Sequence, residues 1–378
     1  MFDRRDLIRI ALHAPLAGAA LSLPLHAAPA SDDGDMARFI AEMPKAEYHV
    51  HLEGTLEAEM KFALADRNGV SLPFADVAAM KHSYLAIHDL PSFLAIYYDG
   101  MKVLLKEQDF YDLAYAYLTK AASQNVLYAE MFFDPQEHLK RGVPIESVMG
   151  GITRARTDAQ AKLGIRSQLI LCFMRDLSAD SAMAALDAAL PMKGDLVGVG
   201  LDSDEKGNPP SKFAAHFARA RAAGLKVTAH CDLNQDNTLE HIRQAIVDLN
   251  VDRIDHGGNI LQSPDLIALA KQRNLYFTVC PGFSGQVRSG ATSQDVVRGM
   301  LDAGLNITLN SDDPAYMGSQ YMNEVLVRAQ KESALTKQEL VRMERNAFNA
   351  AWLTEAARKP LLARLDAFAR KWNVRAEA

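Results

Sequence analysis

His49 and His51 stand two residues apart in the stretch Ala46-Glu47-Tyr48-His49-Val50-His51-Leu52-Glu53-Gly54. Alternate residues of a β-strand point to one face. A strand over Ala46–His51 therefore sends both imidazoles to the same side, just before Gly54 breaks the extended run. Two neutral ring nitrogens a few ångströms apart are the beginning of a divalent-metal site. Two polar histidines at a strand end give the same pattern, and the pair alone does not choose between the readings.

Other stretches end in groups of the same chemistry. The run Lys226–His230 ends in His230, Arg253–His256 ends in Asp255-His256-Gly257, and Asn306–Asn310 leads into Ser311-Asp312-Asp313-Pro314. His49, His51, His230 and Asp312 form a nitrogen-rich set completed by one carboxylate, suited to zinc, with iron or manganese also accommodated. His256 and Asp313 are then left to handle protons and substrate. Each residue also has an ordinary structural use: a hydrogen-bonded histidine, a capped loop, or an aspartate pair capping a helix ahead of Pro314. What favours the metal is their joint placement on separate strand ends.

That placement requires a scaffold. Short β-rich apolar runs at Ala46–His51, Val126–Phe133, Ser167–Phe173, Leu196–Leu201, Lys226–His230, Arg253–His256, Tyr276–Cys280 and Asn306–Asn310 alternate with amphipathic stretches such as Ile145–Leu163 and Pro264–Arg273. Alternating strands and helices predict parallel βαβ units, and eight of them fit an α/β fold, the (β/α)8 or TIM barrel. Functional groups of such a barrel sit at the C-terminal ends of its strands. An open doubly wound sheet is the second architecture. The lack of a glycine-rich phosphate turn after the first strand counts against its dinucleotide-binding form. Thr55 to Asn125 is too long for a simple connection and carries Phe93, Tyr97, Tyr98, Phe110, Tyr111, Tyr115 and Tyr117. It reads as a helical insertion between the first and second strands, beside the barrel mouth.

Bulk properties narrow the partners. The formal net charge of −6 over 378 residues, with no basic stripe, gives no support for nucleic-acid binding. The cysteines, Cys172, Cys231 and Cys280, include no CxxC pair, so neither a disulfide framework nor a cysteine zinc site is indicated. Residues 1–30 differ from the rest: Arg4-Arg5, then Leu7 and Ile8, an apolar stretch from Ala11 to Leu25, and Ala28-Pro29-Ala30. They read as an export signal of twin-arginine type, ahead of one barrel domain over 31–378. The expected location is periplasmic or secreted, with no stable membrane association after cleavage.

The chain resembles the adenosine/adenine deaminase branch of the metal-dependent amidohydrolases over residues 43–358. The resemblance runs through Pro44-Lys45-Ala46-Glu47-Tyr48-His49-Val50-His51-Leu52-Glu53-Gly54, Ser92-Phe93-Leu94-Ala95-Ile96-Tyr97-Tyr98 and Glu130-Met131-Phe132-Phe133-Asp134-Pro135-Gln136. It continues in Arg253-Ile254-Asp255-His256-Gly257 and Leu309-Asn310-Ser311-Asp312-Asp313-Pro314. It implies hydrolytic deamination of an aminopurine with one divalent ion held by His49, His51, His230 and Asp312. It also implies that His256 orients the attacking water, that Asp313 accepts a hydrogen bond from a ring nitrogen, and that Ser203 and Glu205 line the base pocket. Nucleoside deaminases of the family typically have glycine where Ser203 stands. A side chain there crowds a ribose and favours a free base.

One departure is prominent. The family places a glutamate, the donor of a proton to the ring, in a His-Ala-Gly-Glu motif. This chain reads His230-Cys231-Asp232-Leu233-Asn234-Gln235-Asp236. Leu233 cannot move protons. Asp232 is the leading substitute and Asp236 the lesser one. The alternatives are a hydrolase of an N6-substituted purine or another aminated heterocycle, and a periplasmic protein that binds a purine or metal without turnover.

Overall fold

A computed structural model describes residues 32–231, 237–281 and 293–375. The export-signal reading and the proton-donor assignment to Asp232 lie outside them. The strands are β1 (Lys45–Glu47), β2 (Val126–Phe133), β3 (Arg166–Met174), β4 (Leu196–Asp202), β5 (Lys226–Cys231), β6 (Arg253–His256), β7 (Tyr276–Val279) and β8 (Asn306–Leu309). They lie in sequence order in one eight-stranded sheet, and every adjoining pair is parallel. This is the expected barrel, with helices between the strands. Its strands are buried on both faces, which is why β2 reads as a continuous apolar run with only Glu130 charged.

The seam between β8 and β1 matters most for function. Asp312 and Val50 form a parallel bridge. The His51 N–H donates to Asp312 O at 3.0 Å, and the Asp312 N–H donates to His49 O at 2.9 Å. The residues expected to hold the ion thus also close the barrel. The first strand is shorter than the expected Ala46–His51, for a clear reason. Asn310 Oδ1 accepts from the Tyr48 and His49 N–H groups at 2.9 and 3.2 Å, so a side chain replaces a backbone partner there.

The insertion is helical: Ala58–Asn68, Val77–Ser83 and Leu90–Gly100. The next helix, Glu107–Ser123, packs on Ile145–Leu163 and belongs to the outer ring. Helix Leu90–Gly100 begins at a capping box between Asp89 and Ser92. Leu90, Phe93, Leu94, Tyr97 and Tyr98 recur at one-face helical spacing and roof the barrel mouth. Among the described residues no helix is long and apolar enough to cross a membrane.

Candidate active site

Four histidines and two aspartates converge at the C-terminal end of the barrel. His51 Nε2 lies 3.2 Å from His230 Nε2, and His49 Nε2 lies 3.3 Å from Asp312 Oδ1. His51 Nε2 is 3.6 Å from the same Asp312 oxygen. Ligands bound tetrahedrally at 2.0–2.1 Å are separated by about 3.3 Å. The observed spacings therefore fit one small divalent ion. His49 Nε2 and Asp312 Oδ2 are buried and receive no hydrogen bond from any described residue, which fits atoms that ligate a cation.

The imidazoles are held in the ligand state. Thr278 Oγ1 donates to Asp255 Oδ1 at 2.8 Å, so it accepts from His49 Nδ1 at 3.0 Å. That hydrogen bond places the His49 proton on Nδ1 and leaves Nε2 with its lone pair. Asp255, held also by Thr228 Oγ1, stands 3.5 Å from His230 Nδ1. Burial lowers the pKa of His49 to about 3 and of His51 to about 4, and drives that of His230 well below its usual value. All three rings are neutral at pH 7. Cys280 lies near this cluster. Burial first, and then the Asp312 charge, raise the pKa of its thiol.

His256 and Asp312 both adopt positive φ, 59° and 66°. Such backbone costs about 1–2 kcal/mol per non-glycine residue and marks sites where placement outweighs relaxation. His256 ends β6 and sets Nε2 3.7 Å from Asp312 Oδ2. The turn carrying Asp312 and Asp313 is gripped by Glu47, whose Oε1 accepts from the Ser311 N–H and hydroxyl. Tyr117 O–H donates to the other Glu47 oxygen at 2.6 Å. Burial, followed by the neighbouring Asp312 charge, raises the pKa of Asp313 well above the carboxylate range.

Gly54 lets Asp313 approach. A Cβ at residue 54 would overlap Asp313 Oδ1 and lie 2.8 Å from Asp313 Cα. Gly54→Ala should displace that carboxyl and lower kcat/KM about 10²-fold or more, with metal content unchanged by elemental analysis. Near-wild-type kinetics would remove Asp313 from the substrate site.

A cleft rises above the cluster, about 410 Å³ with the open solvent at its mouth included. Its floor includes His51, His230, His256, Asp312 and Asp313, and its wall includes Ser203. Ser203 also has positive φ, 70°, and its Oγ accepts from Tyr98 O–H at 2.9 Å. The structure thus gathers His49, His51, His230, His256, Asp312, Asp313 and Ser203. Glu205, expected in the base pocket, is not among the described residues that line the cleft. It is buried 3.5 Å from Arg175 Nη1 and 3.3 Å from His241 Nδ1. Arg175 Nη1 in turn donates to His230 O at 2.9 Å, so Glu205 braces a ligand-bearing strand from behind. Two carboxylates of the cleft carry no role in the sequence pattern: Asp134 and Asp202. Both stand at strand C-terminal ends, the criterion that found His230.

A family description, adenosine deaminase, matches residues 44–368. A deaminase of Schizosaccharomyces pombe, described as uncharacterized, is 53% identical over 90% of this chain and 99% of its own length. An adenine deaminase of Hahella chejuensis is 45% identical over 88% of this chain and 99% of its own. The crystal structure of an adenine deaminase from Arthrobacter aurescens superposes with a TM-score of 0.83 at 38% identity, covering 87% of this chain and 99% of that one. An amidohydrolase from Burkholderia ambifaria, solved with bound zinc, gives a TM-score of 0.80 at 27% identity, covering 92% and 96%.

Proposed function

The chain belongs to the adenosine deaminase family, and from that premise we propose that it hydrolyses the exocyclic C–N bond of a free 6-aminopurine, adenine in the first instance. The expected ion is a single zinc held by His49, His51, His230 and Asp312. A divalent ion there supplies Lewis acidity and makes water a nucleophile at neutral pH.

The protein groups divide the remaining work. His256 opens onto the cleft beside Asp312 and is the group placed to hold a proton of the attacking water. Asp313, on the cleft floor, is the group that hydrogen-bonds a ring nitrogen and fixes the base in its plane. The proton taken up by the ring before attack is assigned to Asp232, on sequence position alone. Tyr97, Tyr98 and Phe93 roof the cleft and limit water.

The observation that carries the free-base reading is the Ser203–Tyr98 contact. A side chain on a positive-φ backbone, hydrogen-bonded to the roof helix, fills space where family nucleoside deaminases typically have glycine. The test is ammonia release from adenine and from adenosine by the metal-loaded protein. Adenine should be preferred in kcat/KM by at least about 10²-fold. Equal or better turnover of adenosine would sink the free-base reading, and no ammonia from any aminopurine would sink the deaminase reading.

Residues 1–30 are proposed to be a twin-arginine export signal, which suits a protein that takes up its metal before crossing a membrane. The mass of the exported protein should be short by that segment, and an intact mass would refute the proposal.

A further inference from the structure

Asp134 follows β2, and Asp202 ends β4. Their carboxyls lie within 4.8 Å of each other and of a His51 nitrogen. They are 1% and 3% exposed, yet both line the cleft. Asp134 Oδ1 and both oxygens of Asp202 take no hydrogen bond from any other described side chain; burial, and then the Asp202 charge, push the Asp134 pKa up, so the pair can hold one proton between its carboxyls and still offer acceptor oxygens to the cleft. The closest approach is His51 Nδ1, 3.6 Å from Asp202 Oδ2, too long for a hydrogen bond. His51 separates the two halves of the floor: its Nε2 faces His230 and Asp312, and its Nδ1 faces Asp202. Buried acceptors without donors are costly and rare in a native protein unless a ligand supplies the donor.

The donor follows from the chemistry of the base. A free purine carries an N–H in its imidazole ring, on the opposite side of the bicycle from the amino-bearing carbon. In a nucleoside that nitrogen carries the sugar and has no hydrogen. With the amino-bearing carbon at the histidine cluster, the N–H end of the base points across the floor, away from that cluster. We propose that the Asp134–Asp202 pair is the specificity element for the free base, accepting the hydrogen bond of the purine imidazole N–H. This deepens the free-base reading and rests on it. It also gives the selection a repulsive half. A 9-substituted purine would bring a nitrogen without hydrogen against buried acceptors and leave them unpaired, and such sites discriminate strongly. Ser203, next to Asp202 and pinned by Tyr98, denies the substituent an exit beside the pair.

The test is calorimetric binding of purine and of 9-methylpurine to the metal-loaded full chain. Wild type should bind purine at least about 30-fold more tightly. In Asp202→Ala and in Asp134→Ala the preference should fall to within about threefold, chiefly through weaker purine binding. Asp202→Asn and Asp134→Asn keep a carbonyl acceptor and should retain part of it, which separates lost recognition from lost folding. Equal binding of the two ligands by wild type would overturn the proposal, as would an undiminished preference in both alanine variants. A second equivalent of metal that disappears in Asp202→Ala would also overturn it, since the pair would then be a cation site. Purine preference that holds while adenine yields no ammonia would instead refute the deaminase reading and leave this one standing.

Discussion

Asp312→Asn should fold, lose its metal and lose about 10³-fold or more in kcat. The loss corresponds to roughly 4 kcal/mol of transition-state stabilisation, the scale of removing a Lewis acid. Asp312 has two separable jobs. Its carboxylate faces His49 Nε2 and His51 Nε2, and its backbone closes the barrel seam at φ 66°. Asparagine tolerates that backbone and keeps the seam. Alanine does not tolerate it as well, so Asp312→Ala should lose a further 1–2 kcal/mol or so of stability. Elemental analysis and thermal melting of the two variants distinguish the jobs. Wild-type metal content and turnover in Asp312→Asn would show that the ion is held elsewhere.

Asp232→Ala should lower kcat by about 10²- to 10⁴-fold, the range for removing a general acid, with KM within about threefold and metal content unchanged. The reasoning is by chemistry and position. Ring protonation needs a titratable group near His230, and the family's glutamate position holds Leu233. Asp236→Ala, made in parallel, should be nearly silent. If Asp232→Ala keeps most of its turnover while Asp236→Ala does not, the donor is Asp236. If both are silent, the proton comes from neither.

The frame was legible because strands buried on both faces are mostly apolar runs, set apart from the amphipathic helices between them. β2 and β6 have the bounds read from the sequence, and His49, His51, His230, His256 and Asp312 lie at or just beyond strand C-terminal ends. Three features were not legible. The first strand stops short because Asn310, far along the chain, supplies a side-chain acceptor to Tyr48 and His49. A one-dimensional pattern carries no record of such a contact. Glu205 sits in the right motif but faces Arg175 and His241, because motif position does not give side-chain direction after a positive-φ residue such as Ser203. Asp134 and Asp202 were visible as strand-end carboxylates. Nothing in the sequence said that two strands separated by β3 would bring them together over His51.

The most direct test strips the protein of metal with a chelator, then titrates zinc while ammonia release from adenine is followed. Activity should be below about 1% without metal and rise to a plateau at one equivalent, as expected of a single site built from His49, His51, His230 and Asp312. Undiminished ammonia release from the metal-free protein, or none at any zinc concentration, would contradict the assignment.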